Sequence, residues 1–180
     1  MYLLDYQLSV LGIKWFKRGA DAHYDLGGPY ELNPPFEKDI EAERFISKTH
    51  ILALLRIWIV LGGVWWLSRQ FGDYSEVYVA AVGFFVLTQM PVMMRHAQNL
   101  TLFRYVSLRG GVEGRARIAR WLDLRMSGVI FWYFAAVYAL LWLLLGDVFF
   151  VGGAVGTALA GARFWIFGGD AEESATESGD

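Results

Sequence analysis

The chain contains no cysteine among its 180 residues, which excludes disulfides, thiolate metal sites, iron–sulfur clusters and cysteine nucleophiles. Charged residues are also scarce: they form 19% of the chain, whereas a soluble domain carries about a quarter. The three histidines lack the spacing of an HExxH zinc motif, and no GxSxG or P-loop string occurs. We therefore predict no metal, no cofactor and no catalytic residue, and the sequence favours a non-enzymatic protein.

Long apolar runs dominate what is present, at about residues 51–67, 77–94, 126–145 and 148–167. A helix needs about 20 residues to cross a hydrocarbon core of ~30 Å. We predict an all-α membrane protein whose domain 49–168 has four transmembrane helices in two antiparallel hairpins, with spans at about 49–69, 75–95, 126–145 and 147–167. The alternative, a soluble bundle, requires a polar stripe at helical spacing, and residues 129–145 offer only Tyr133 and Tyr138.

The charges indicate an orientation. Seven arginines lie between Arg95 and Arg125, against only Glu113 and Asp123. Lys and Arg in short loops favour the cytoplasmic side, so we expect the loop 96–125 and both termini in the cytoplasm. The preference for arginine over lysine and the acidic tail indicate a prokaryotic source, hence a multi-pass protein of the cell membrane. Residues 169–180, with acids and no base, are predicted to be a disordered tail.

The N-terminal segment, residues 1–48, is predicted to be cytoplasmic or interfacial. Within residues 2–16, Leu4, Leu8, Leu11 and Trp15 recur at helical spacing and predict an amphipathic helix. Two placements stay open: the helix lies in the headgroup plane of the membrane, or it packs on the cytoplasmic end of the bundle.

Polar residues near the predicted inner ends of the spans suggest a lipid- or anion-binding site. Arg56 is the most informative, because a charge within a span is costly and often faces a partner; the alternative is that its side chain reaches up to the headgroups. Arginine forks bind phosphates and carboxylates well. The full candidate set is Arg56, Gln89, Arg95, His96, Asn99, Arg163, Glu31 and Asn33, whose alternative roles are interface anchors, loop caps and turns.

The expected partners are the lipid bilayer and anionic phospholipid headgroups, with no nucleic acid. Gly152, Gly156 and Ala160 repeat every four residues on the last span, which allows close helix packing within the chain or in a homodimer. The molecular function predicted is that of a small lipid-interacting or assembly component. A transporter or channel subunit for an anionic solute is the first alternative, and a membrane-embedded enzyme at the cytoplasmic face is the second.

Overall fold

The computed structural model describes residues 2–26, 34–70, 75–110 and 112–177, and this part of the chain is almost entirely helical. Its six α-helices are α1 (Tyr2–Phe16), α2 (Pro34–Glu41), α3 (Lys48–Gln70), α4 (Ser75–Arg109), α5 (Arg120–Leu145) and α6 (Val148–Glu177). Helices α3 to α6 are long and apolar enough to cross a membrane. The helical class and the four candidate spans are therefore confirmed.

The chain divides into two compact units. The first unit contains the described residues of Met1–His50, Val92–Leu124 and Phe167–Asp180, and the second contains Ile51–Pro91 and Arg125–Ile166. The helical segments of the second unit have 17 to 21 residues each. At 1.5 Å per residue these segments are roughly 25 to 32 Å long, which matches the hydrocarbon thickness of a bilayer.

Within the second unit, α4 and α6 approach each other closely because both present glycine. A Cβ added at Gly83 would overlap the Phe149 carbonyl oxygen, and one added at Gly152 would overlap the Ala80 carbonyl oxygen. Gly156 likewise faces Thr88 and Phe84. Small residues let helix backbones meet in this way in membrane proteins. Gly152 and Gly156 thus pack within the chain, and a homodimer through Gly152, Gly156 and Ala160 stays a prediction.

Helices α5 and α6 of the second unit pack through aromatic side chains. The rings of Phe131 and Phe164 lie 5.3 Å apart between centroids, and those of Trp132 and Trp165 lie 5.1 Å apart. Between the helices, Gly146 adopts a left-handed backbone with φ of 70°, and its N–H donates to the Trp142 carbonyl oxygen over 2.7 Å. Glycine tolerates this helix-ending conformation without steric cost.

The residue after Gly146 starts the next helix. The side chain of Asp147 accepts a hydrogen bond from the Phe149 N–H over 2.9 Å, so it caps the N-terminus of α6. A left-handed glycine followed directly by a capping aspartate explains how the chain turns within two residues.

The first unit has its core around α1. Tyr6, Val10 and Ile13 of α1 bury against Ile40 of α2, with Ser9 buried on the same side. At 3.6 residues per turn, the predicted stripe Leu4, Leu8, Leu11 and Trp15 lies on the opposite side of the helix. Leu4 is exposed and the other three are half-buried. Helix α1 therefore buries a face other than the predicted one, although Trp15 of the stripe packs against Ala20, Phe103 and Val106 in the same unit.

The region predicted as a cytoplasmic loop is more regular than expected. Helix α4 continues to Arg109, where Phe103 and Val106 are buried with Ala20. A short parallel pairing then joins β1 (Tyr24–Asp25) to β2 (Ala116–Arg117). At the other end of the chain, α6 extends to Glu177, through most of the segment predicted to be disordered.

Candidate functional site

Arg56 lies within the apolar length of α3, in the second unit. It is six residues beyond His50, which corresponds to about 9 Å of helix. The side chain is exposed, and it makes no ion pair or hydrogen bond with any residue that the structure describes. Leu52, Leu55 and Ile59, its neighbours on the same helix, are exposed as well. Arg56 is therefore a cation among apolar side chains with all of its donors available.

Gln89 of α4 has the opposite environment in the second unit. It is only 8% exposed, and its Oε1 atom has no hydrogen-bond partner in the described part of the chain. Unsatisfied buried acceptors are uncommon because each costs a desolvation penalty. Gln89 is therefore a second member of the predicted set, after Arg56, and its side chain has an unused hydrogen-bond acceptor.

The helix around Gln89 contains Pro91, which has no N–H to donate to the carbonyl of Leu87 four residues earlier. The Tyr138 hydroxyl of α5 donates to that carbonyl oxygen over 3.3 Å. A tyrosine side chain thus replaces the backbone hydrogen bond that the proline removes. This contact ties α5 to α4 in the second unit and makes Tyr138 a structural residue.

Arg95 is already engaged. Its Nη2 donates to Asp123 Oδ2 of α5 over 2.7 Å, in an ion pair of the first unit. The arginine side chain is 18% exposed and the aspartate 37%. Because one fork of the guanidinium is committed to a carboxylate, Arg95 is a weaker candidate for an external anion than the sequence alone indicates.

His96 is also engaged, with two residues of α1. Its Nε2 lies 3.3 Å from Asp5 Oδ1, and the Ser9 hydroxyl lies 3.2 Å from each of its ring nitrogens. Aspartate, histidine and serine form hydrolytic relays when the acid and the nucleophile bond opposite ring nitrogens. Here the Ser9 hydroxyl is equally far from both ring nitrogens, so it is not bonded to the nitrogen opposite Asp5 alone, and Ser9 is 2% exposed. This trio holds α1 against α4 and does not have relay geometry.

The remaining members of the predicted set do not add a partner for Arg56 or Gln89. Asn99 is half-buried on α4 in the first unit, and Arg163 is exposed on α6 in the second. Glu31 and Asn33 lie outside the described residues. Among the residues that are described, no three potential metal ligands come together.

Sequence reasoning missed three residues that contact members of the predicted set, namely Asp5, Ser9 and Asp123. Asp5 and Ser9 are four residues apart, so they share one side of α1. That spacing was visible, but their contact with His96 joins positions 87 residues or more apart. Scans of protein-family models, curated proteins and solved structures found no match to this chain.

Proposed function

We propose that this protein is a non-enzymatic, multi-pass protein of the cell membrane that binds an anionic phospholipid through Arg56. The second unit crosses the bilayer, and both termini lie in the cytoplasm with the arginine-rich segment. Helix α1 contacts the membrane surface on the same side.

The division of the chain supports this topology. The N-terminal segment, the segment between α4 and α5, and the end of α6 belong to one compact unit. A protein that crosses the membrane four times as two hairpins has these three parts on one side. The arginines of the middle part favour the cytoplasm as that side.

Contacts inside the second unit support the helix directions of two hairpins. Between α4 and α6, Gly83 contacts Phe149 and Thr88 contacts Gly156, so the residue numbers of both helices rise together and the helices are parallel. Between α5 and α6, Gly128 lies near Trp165 and Trp132 lies near Gly161. Residue numbers rise along α5 as they fall along α6, so these helices are antiparallel. Alternating helices across a membrane require this combination, with α5 antiparallel to α6 and α4 parallel to it.

Arg56 carries the functional proposal. A cation inside a span is expensive, and its cost falls when it reaches a headgroup phosphate or another anion. In the helical segments of the second unit the one acidic residue is Glu76, in the first turn of α4. The guanidinium has five donors in a planar fork that fits a phosphate. A phospholipid of the cytoplasmic leaflet supplies that phosphate near Lys48, about two helical turns away.

Native mass spectrometry of the detergent-purified protein tests the proposal. We compare the wild type with Arg56→Ala and Arg56→Lys after incubation with phosphatidylglycerol. The expected result is loss of the retained lipid in Arg56→Ala and partial loss in Arg56→Lys, because a lysine keeps the charge without the fork.

The control is Arg69→Ala, since Arg69 is an exposed arginine at the other end of the same helix. Its loss should leave lipid retention unchanged. Equal retention by the wild type and both Arg56 variants would contradict the proposal, as would an equal loss caused by Arg69→Ala.

A further inference from the structure

Four apolar side chains at one end of the first unit are exposed. Leu3 and Leu4 of the first turn of α1 are 61% and 55% exposed, and Phe45 and Ile46 before α3 are 46% and 81% exposed. Among the described large apolar side chains, none is more exposed than Ile46. Contiguous exposed apolar surface of this kind marks contact with a membrane or a partner. These four residues are called the apolar tip below.

Two hydrogen bonds connect the two halves of the apolar tip. The Tyr6 hydroxyl donates to the Arg44 carbonyl oxygen over 2.7 Å, and Gln7 Nε2 donates to the Phe45 carbonyl oxygen over 2.8 Å. Leu3 precedes Gln7 by one helical turn on the same side of α1. The start of α1 and the segment before α3 are therefore held together by the fold, so the four residues of the apolar tip keep fixed positions.

The chain places this tip next to a candidate span. Ile46 is two residues before Lys48, where α3 begins, and two residues of extended chain reach at most about 7 Å. Ser47, between them, is held by two hydrogen bonds. Its hydroxyl accepts from the His50 N–H over 3.2 Å, which caps α3, and it donates to Asp39 Oδ2. Ile46 therefore stays within about 7 Å of the point where α3 starts.

Two contacts between α1 and α4 show in which direction α1 runs within the first unit. Asp5 contacts His96, which is five residues beyond Pro91, whereas Phe16 contacts Phe103, at 5.2 Å between ring centroids. Helix α1 thus runs in the same direction as residues 96–103 of α4, within the first unit. Its first turn, which carries Leu3 and Leu4, lies at the His96 end of this contact.

We propose that the apolar tip inserts into the boundary between headgroups and acyl chains, in the leaflet that α3 enters at Lys48. This proposal depends on the proposed membrane crossing of α3. Lipid suits the tip because Lys48, two residues after Ile46, is an exposed cation of the kind that anchors a span at headgroup level. Only the first turn of α1 is immersed, and the rest of the helix stands along α4.

Single-cysteine variants in lipid vesicles test the insertion, since the chain has no cysteine of its own. Ile46→Cys and Leu4→Cys are labelled with the environment-sensitive dye NBD and reconstituted in lipid vesicles. Two quenchers are compared: lipids that carry bromine near the headgroup end of their acyl chains, and iodide in the aqueous phase. Leu108→Cys is the matched control, because Leu108 is an apolar residue near the end of α4 whose exposure, 61%, lies between those of Leu4 and Ile46. Val60→Cys, an exposed position in mid-α3, reports the span itself.

We expect labels at 46 and 4 to emit at shorter wavelength than the label at 108, to be quenched by bromolipid and to be protected from iodide. Iodide quenching at 46 and 4 equal to that at 108 would overturn the proposal. Protection from both quenchers would overturn it too, since the tip would then be covered by protein. A label at 60 quenched by iodide would instead overturn the membrane crossing on which both proposals depend.

Discussion

The bond from Tyr138 to the Leu87 carbonyl predicts a specific coupling between two helices. Replacing Tyr138 with Phe removes the hydroxyl and leaves the Leu87 oxygen, which Pro91 has already deprived of its helical donor. A hydrogen bond between membrane helices contributes about 0.6 kcal/mol on average, and a typical intramolecular bond about 1. At 3.3 Å the bond is long, so we expect Tyr138→Phe to lower the free energy of unfolding by about 0.6 kcal/mol.

The same substitution should cost almost nothing when residue 91 is alanine. Pro91→Ala restores an N–H to the helix, and that N–H satisfies the Leu87 oxygen without the tyrosine. Pro91 is fully buried, so its replacement has a packing cost of its own. A double-mutant cycle cancels that cost and isolates the coupling.

Unfolding in mixed micelles, followed by circular dichroism, measures the four stabilities of the cycle. Tyr133→Phe is the control, because Tyr133 lies on the same helix and is 68% exposed. It should leave the free energy of unfolding unchanged. An equal effect of Tyr138→Phe with proline and with alanine at position 91 would refute the reasoning.

Three further outcomes are expected from thermal unfolding in detergent. Gly152→Ile forces a side chain onto the Ala80 carbonyl and should cost about 3 kcal/mol or prevent folding, whereas Gly62→Ile, with nothing within 4 Å of its Cβ, should cost little. Arg95→Asp should destabilise by about 1 kcal/mol through repulsion with Asp123, and adding Asp123→Arg should recover most of that loss; no recovery would show that the pair is unimportant. Ser47→Ala should cost about 1 kcal/mol through loss of the α3 cap, and an unchanged melting temperature would count against that cap.

The spans were predictable from the sequence because an uninterrupted apolar run of membrane length is rare in a soluble domain. The turn between α5 and α6 was predictable too, since a glycine and an aspartate are the residues that end and start helices. The length of α4 was harder to predict. Beyond Arg95 its polar and basic residues are typical of a loop, and the helix persists because Phe103 and Val106, three residues apart, are buried in the first unit.

The candidate site was predictable only one residue at a time. Arg56 stood out because its neighbours along the chain are apolar, and that local contrast needs no knowledge of the fold. The engagement of Arg95 and His96 depends on partners far away in sequence, which composition and spacing do not reveal. The two halves of the apolar tip are likewise about 40 positions apart, joined by bonds from α1 to the segment before α3.

The central claim is that the chain crosses the membrane four times and has both termini in the cytoplasm. Thiol labelling in intact cells tests this topology most directly. Ser75→Cys, at the start of α4, and Glu113→Cys, between α4 and α5, are both exposed positions in a chain without other cysteines. A membrane-impermeant maleimide should label residue 75 in intact cells and residue 113 only after permeabilisation. Labelling of residue 113 in intact cells, or of both residues alike, would contradict the topology.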